Sequence, residues 1–238
     1  AEEQCEELIK KAMEISDSKS PEVWSTLGSI RISQQKYLEA SEAFAKSWEH
    51  FEVKKQEIEK DLTSNNISSH EEYVQLLQPL LSLMKMCIEL GLYDLSLKIV
   101  NQIKDIDEDN IEGYYLEGFT YYMIGKLEMF KLQNPELNIS VGNVFQFNEH
   151  FQELPLDLSI ETVAECVYEA RIALSMASKL GSNADSEDDI VQEIVTGTGE
   201  LLTELGGPLP FQELMKAKKG EDDGKNEDID LESEITED

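Results

Sequence analysis

The 238-residue sequence predicts an all-α fold assembled from consecutive helical hairpins. Three stretches carry the prediction, each with apolar residues at helical spacing and helix start or stop signals at its ends. From Ser20 to Ser47, Trp24, Leu27, Gly28 and Ile32 fall on one face of a first helix, and Tyr37, Ala40 and Phe44 on one face of a second. From Glu71 to Glu89 a stripe of Tyr73, Leu76, Leu77, Leu80, Leu83, Met84 and Cys87 is stopped by Gly91. Tyr93, Ser96, Val100 and Ile103 then begin another. The third stretch, IEGYYLEGFTYYMIG from Ile111, ends at Gly125, where a turn is predicted.

Taken in order, residues 3–15 form an amphipathic helix with Leu8, Ile9, Ala12 and Met13 turned inward. It is expected to pack on the helix that follows or on repeats preceding it. The chain opens on Ala1 and inside a helical pattern, so further N-terminal repeats are expected. Ser20 is placed to cap the next helix, and Pro21 at its first position has a suitable fixed φ and no amide proton to waste. Gly28 and Ala40 are small enough to let the two backbones of that hairpin approach closely.

The helix from Tyr37 runs on through Trp48 and Phe51 into the charged KKQEIEKD. Residues 64–69 read as a loop, with Ser69 and Glu72 as a capping box for a continuous helix to Glu89. Pro79 lies inside that pattern, where it kinks the helix or shifts its start. Asp109 and Asn110 are placed to cap the helix at Ile111.

Beyond Met129 regularity breaks into an insertion, about 131–158, containing two prolines, a glycine and three phenylalanines. Long irregular segments inside compact domains are uncommon and often functional. Two readings stand: the insertion packs Phe145, Phe147 and Phe151 on the helices, or it is a flap that contacts a partner. Helical pattern resumes at 159–180 with Ala170, Leu174 and Ala177, closed by Gly181. Residues 186–205 form a last helix or broken pair, acidic at its N-terminus, whose Ile190, Val191, Ile194, Leu201, Leu202 and Leu205 face inward as a terminal cap. GGPLP at 206–210 ends it. Residues 1–210 are therefore expected to form one helical domain, and 211–238 an acidic tail too charged to bury anything and expected to be disordered.

Charge and composition limit the function. The net charge is −30, which repels phosphates and argues against nucleic acid or an anionic membrane as direct ligand. A basic protein is the natural complement. No apolar run approaches the roughly 20 residues that a membrane span needs, and no signal peptide opens the chain. Cys5, Cys87 and Cys166 are far apart and odd in number, and read as buried thiols of a reducing compartment. His50, His70 and His150 stand apart without zinc-site spacing, and Gly197 and Gly199 lack the strand, third glycine and lysine of a phosphate loop. No catalytic residue, metal or cofactor is therefore expected.

Trp24, Leu27 and Gly28, then Tyr37, Ala40 and Phe44, with Pro21 opening the first helix, resemble the 34-residue tetratricopeptide repeat. Arg31, Ser47 and Glu52 depart from that pattern, standing where it usually has Tyr, Ala and Pro. The resemblance implies a right-handed α-solenoid whose inner groove is lined by one face of each first helix. In this register the groove takes Glu22, Ser25 and Ser29 from the first unit and Gln78 and Lys85 from the second. From the third it takes Glu112, Tyr115, Phe119 and Tyr122. Acid beside a row of aromatics suits Lys and Arg side chains, which stack on rings and pair with carboxylates at once; equally, some of these rings serve as core. Glu161, Glu165 and Glu169 add an i, i+4 acidic ladder if their helix faces the same channel, and are otherwise a solvated face. Some relatives of the fold grip acidic heat-shock chaperone C-termini with Lys, Asn and Arg. The corresponding Ser25, Ser29, Ser82, Glu112 and Leu116 match none of these, which excludes that partner.

RISQQKYLEASEAF and DIVQEIVTGTGELLTELGG, together with the few repeats, the insertion and the acidic tail, resemble the fungal family of dedicated assembly chaperones of large-subunit ribosomal protein four. The resemblance implies binding of a newly made ribosomal protein's long basic loop and passage with it from cytoplasm to nucleus. An acidic groove would stand in for the RNA that such a loop is built to thread. The alternative reading is a scaffold joining folded subunits of a larger complex. Its apolar interface would be far less sensitive to salt.

Overall fold

The computed structural model describes residues 2–62, 67–184 and 188–217, and no strand occurs among them. Helix α1 (Glu2–Ile15) leads into a hairpin of α2 (Pro21–Ser33) and α3 (Tyr37–Leu62). As expected, the Ser20 hydroxyl accepts the Val23 amide at 3.3 Å and Pro21 starts α2. Gly28 makes the hairpin possible, since a Cβ there would stand 2.3 Å from the Phe44 ring. Phe44 is wholly buried with Ala40 beside it, and burial of such a ring contributes about 2–3 kcal/mol.

Arg31 turns its departure from the repeat pattern into a tie between helices. Its guanidinium is mostly buried, pairs with Glu6 of α1, and reaches Glu39 of α3 at 3.0 Å. Among the described residues α1 packs mainly on α2, along this side, so Ile9 is buried while Leu8 is 66 % exposed, unlike the expected inward stripe. The two lie about 100° apart on the helix and one contact line cannot cover both. Hydrogen bonds from Arg31 and then Gln34 lower the Glu6 carboxyl from its ordinary 4.5 to about 2. A lowered carboxyl is ionised in the folded state while the unfolded chain still takes up its proton, so the contribution is present above pH 4.5 and lost as pH falls toward 2. Acid titration of the wild type should therefore loosen α1 across that window. In Glu6→Gln, hydrogen exchange of α1 should already be fast at neutral pH and respond less to acid.

The expected continuous helix from Glu71 is two helices, α4 (Ile67–Gln75) and α5 (Leu77–Leu90), parted at the buried Leu76. Pro79 is the third residue of α5, within the first turn, where amides have no intrahelical acceptor and a missing one costs nothing. It shifts the helix start. Ser69 lies buried within α4, past its first residue Ile67, and so is not its N-cap, which corrects the expected capping box; residues 67–69 of the expected 64–69 loop are helical, and 64–66 lie outside the described residues. α5 ends at Gly91, whose φ of 78° only glycine adopts without strain, and the chain returns in α6 (Tyr93–Ile106).

α7 (Ile111–Gln133) starts as expected, the Asn110 side chain accepting the Gly113 amide at 2.8 Å. It does not turn at Gly125. The following KLEMF run favours helix, and Leu127, Met129 and Phe130 are buried, so the helix continues until Asn134 and Pro135 stop it. Its main partner is α9 (Glu161–Gly181), on the far side of the insertion. Gly118 sets that approach: a Cβ there would stand 2.5 Å from Leu174 and 3.1 Å from the Ala170 carbonyl oxygen.

Between them, a 3-10 turn (Val144–Phe147) and α8 (Asn148–Gln152) fold the insertion back on the helices. Val144 is buried against Gly91, and the Asn148 side-chain Nδ2 donates to the Glu89 carbonyl at 2.9 Å. Phe145 meets Tyr37 at 4.8 Å, while Phe147 and the buried Phe151 flank Phe130. Of the two readings, the structure has the phenylalanines packing the insertion down rather than offering it as a flap.

α10 (Asp189–Glu204) follows, with Asp188 accepting the Ile190 and Val191 amides. It is one helix, and Leu202 and Leu205 are buried, but Ile190 at its first turn is exposed rather than inward. Gly206 and Gly207, at φ 95° and 90°, end it. Arg171 then donates to the Gly207 carbonyl at 2.8 Å, the Leu209 amide to Ser175 at 2.9 Å, and residues 211–217 form another helical run with Leu214 buried. Order thus continues past the expected boundary at 210, because Leu209 and Leu214 return to the body of the protein. Residues 218–238 of the expected tail lie outside the described residues.

Candidate peptide-binding face

Helices α2, α5, α7 and α10 touch one another in sequence through polar contacts. The Ser29 hydroxyl lies 2.9 Å from the Met86 sulfur, joining α2 to α5. Lys85 pairs with Glu112, joining α5 to α7. Tyr115 lies against Gly197, and Tyr122 donates to Glu204 at 2.9 Å, joining α7 to α10. This row of helices brings together the predicted Ser29, Lys85, Glu112, Tyr115, Phe119 and Tyr122.

Along α7, Phe119 stands 6.4 Å from Tyr115 and 6.1 Å from Tyr122, all three planes nearly parallel. The ladder runs from surface to core: Tyr115 and Phe119 are half-buried and Tyr122 is buried. The Tyr115 end is thus the accessible one. Tyr115 borders an open cleft of about 470 Å³ whose other wall is Gln192, Glu193, Thr196, Gly197 and Glu200 of α10. Gly197 permits it, since a Cβ there would lie 3.1 Å from the Tyr115 hydroxyl. Burial, and then the charges of Glu200 and Glu193, raise the Tyr115 phenol above its ordinary pKa of 10.0, so the ring is neutral with two carboxylates facing it.

The deep end is closed by a buried ion pair. The Lys126 side chain is 3 % exposed and its ammonium donates to Glu204 at 2.8 Å and to the Leu154 carbonyl of the insertion at 2.6 Å, above the Tyr122 ring. Burial and the Glu204 hydrogen bond push the Tyr122 phenol up strongly, which keeps it a donor. This one cation ties α7, the insertion and α10 together and so fixes Glu193 and Glu200 opposite Tyr115.

The remaining predicted residues lie elsewhere. Glu22 pairs with Lys54 of α3 at 3.1 Å, and Ser25 bonds the Pro21 carbonyl and Ser47, so both address the hairpin partner. Gln78 is exposed near the start of α5. Glu161 and Glu165 are exposed on α9, and Glu169 lines a separate small cleft with Lys104, Tyr114 and Glu117. The structure does not bring this ladder to Tyr115. Glu193 and Glu200 went unnoticed in the sequence, where α10 reads as a cap; their spacing of seven, two helical turns on one face, was the available signal.

Cys87 is buried, but Cys166 is only partly so and Cys5 is exposed, on the unpacked side of α1. Among the described residues no group of His, Cys, Asp and Glu gathers as a metal would need, and no helix is long and apolar enough to cross a membrane.

Comparison with known proteins adds to this geometry. Residues 109–230, just over half of the chain, match the family model described as ACL4 C-terminal domain. A protein of Emericella nidulans named "Probable assembly chaperone of rpl4" is 29 % identical over 127 residues, which is 53 % of this chain and 30 % of that protein. One of the same name from Schizosaccharomyces pombe is 26 % identical over 218 residues, 92 % of this chain and 54 % of that protein. The chain spans about half the length, or less, of these curated relatives.

Proposed function

The chain belongs to the ACL4 C-terminal domain family, and from that premise we propose that it is an assembly chaperone that holds a basic, extended segment of a newly made ribosomal protein. The relatives' names supply the class of client, ribosomal protein four of the large subunit. The observation that carries the reading is the half-buried Tyr115 ring facing Glu193 and Glu200 across an open cleft, on a chain of net charge −30. A Lys or Arg side chain entering there stacks on the ring and meets both carboxylates.

In this reading the hairpins α2/α3 and α5/α6, and the pair α7/α9, are tetratricopeptide-type units, and the contacts from Ser29 through Lys85 and Glu112 to Tyr115 and Phe119 mark the client's path. The protein carries its client from cytoplasm to nucleus and shields the cationic segment from RNA and other polyanions. Release follows when ribosomal RNA competes for the same cations.

A pull-down from cell lysate with this chain as bait, washed at low and at raised salt, tests the proposal. The expected result is one basic ribosomal protein recovered in stoichiometric amount at low salt and largely lost at raised salt. Neutral or acidic subunits retained at raised salt would instead establish the scaffold reading.

A further inference from the structure

A larger opening lies away from Tyr115, between α3, the turn from α5 into α6, the C-terminal half of α7 and the insertion, with a volume of about 870 Å³. The insertion builds one wall with Ile139, Ser140 and Val141, and Val144 anchors that wall on Gly91. Only a glycine at the α5 to α6 turn admits this contact, since a Cβ at Gly91 would come within 2.5 Å of Val144. The packed insertion thus has a consequence: it converts an open flank of the hairpins into a walled cleft.

Its lining has two chemistries. Leu92, Leu95, Ile124 and Leu127 supply apolar surface with Trp48 and the exposed Val141. Glu42, Glu49 and Glu52 of α3, Asp94 of α6 and Glu128 of α7 supply five carboxylates against two ammonium groups, Lys98 and Lys131. Lys131 is held by Glu128 at 2.9 Å and Glu49 by Lys46 at 2.6 Å, which leaves Glu42, Glu52 and Asp94 against Lys98. Tyr93, also in the lining, is 5 % exposed, and its hydroxyl has no hydrogen-bond partner. A buried polar atom left unpaired is costly and rare.

We propose that this cleft is a second docking site, taking an extended basic peptide in which Lys or Arg alternates with apolar residues. An extended chain sends successive side chains to opposite sides, so one set meets the carboxylates and the other the apolar lining. Charge selects the class of occupant: the cleft offers a surplus of carboxylates, and an acidic or neutral segment would leave them uncompensated. The site does not depend on the assignment of the Tyr115 face.

The probe is a short fluorescent peptide alternating arginine and valine, with a photoreactive group at one valine. Its binding is read by anisotropy and its attachment points by mass spectrometry. Controls replace arginine by glutamate, or valine by serine. The wild type is expected to bind the arginine–valine peptide, to attach it at 139–144 or the start of α6, and to bind both controls at least about tenfold more weakly. Glu52→Lys with Asp94→Lys, checked for fold by circular dichroism, should lower attachment at 139–144 and the start of α6 by about tenfold or more, while Glu193→Lys with Glu200→Lys, which alters the Tyr115 face, should leave attachment there within about twofold. Equal loss in both pairs, or equal binding of the arginine–serine control, would mean attraction to net charge alone and overturn the site. Attachment confined to α7 and α10 would overturn it too, while leaving the Tyr115 face standing.

Discussion

Glu204→Ala is expected to lower the melting temperature by about 6–12 °C, from a loss of about 3 kcal/mol. The Lys126 ammonium is among the most buried charges of the described residues, and it keeps only the Leu154 carbonyl once Glu204 is gone. Removing one partner of a buried pair costs about 3–5 kcal/mol, and the lower end applies because Glu204 is 46 % exposed and water can replace part of it. Tyr122 loses its acceptor as well. Lys126→Met removes the charge but keeps an unbranched apolar chain, and should cost less, about 1–2 kcal/mol. Adding Glu204→Ala to Lys126→Met should then cost under about 1 kcal/mol, because no stranded ammonium remains. Thermal melts of the two single variants and the double variant measure this coupling. Simple additivity of the two losses would mean that the pair does not hold α10 and the insertion on α7.

The same residues show how far the sequence alone carries. Hairpins α2/α3 and α5/α6 were legible because their signals are local: a cap at Ser20, a proline at the first position, glycine stops, and stripes that each face a neighbour close in sequence. α7 was legible at its start and not at its end. Gly125 resembles a turn glycine, yet its place is decided by Cys166 and Leu156, each 3.4 Å from a Cβ there and both supplied by distant segments. The pairing of α7 with α9 across the insertion is non-local in the same way, and only the spacing of Ala170, Leu174 and Ala177 hinted at it. The acidic ladder on α9 was visible in full, but a stripe does not say which channel it faces. Half of the candidate site, Tyr115 and Phe119, came from register; Glu193 and Glu200 lay in a helix whose apolar stripe drew the eye to its packed side.

Glu193→Lys with Glu200→Lys is expected to weaken capture of the basic client segment by about 30- to 100-fold while leaving the melting temperature unchanged. Both residues are exposed on α10 and form no ion pair among the described residues, so their reversal costs the fold little. An exposed carboxylate attracts a cation by about 0.2–1 kcal/mol, and reversal replaces that attraction with comparable repulsion. Taking about 0.5–0.7 kcal/mol, the middle of that range, for each attraction lost and each repulsion gained, two reversals around one ring amount to about 2–2.8 kcal/mol, which is the fold-change stated. Tyr115→Leu isolates the ring: apolar area is kept, the cation–π contribution of about 0.5–1 kcal/mol is lost, and affinity should fall only about two- to fivefold. The three measurements also separate steering from grip. Raising salt should narrow the gap between wild type and the double reversal, because screening acts on the carboxylates, but leave the Tyr115→Leu ratio nearly constant. A double reversal that binds client as wild type does, at unchanged salt dependence, would remove α10 from the client's path and leave the acidity of the chain without a local role at this face.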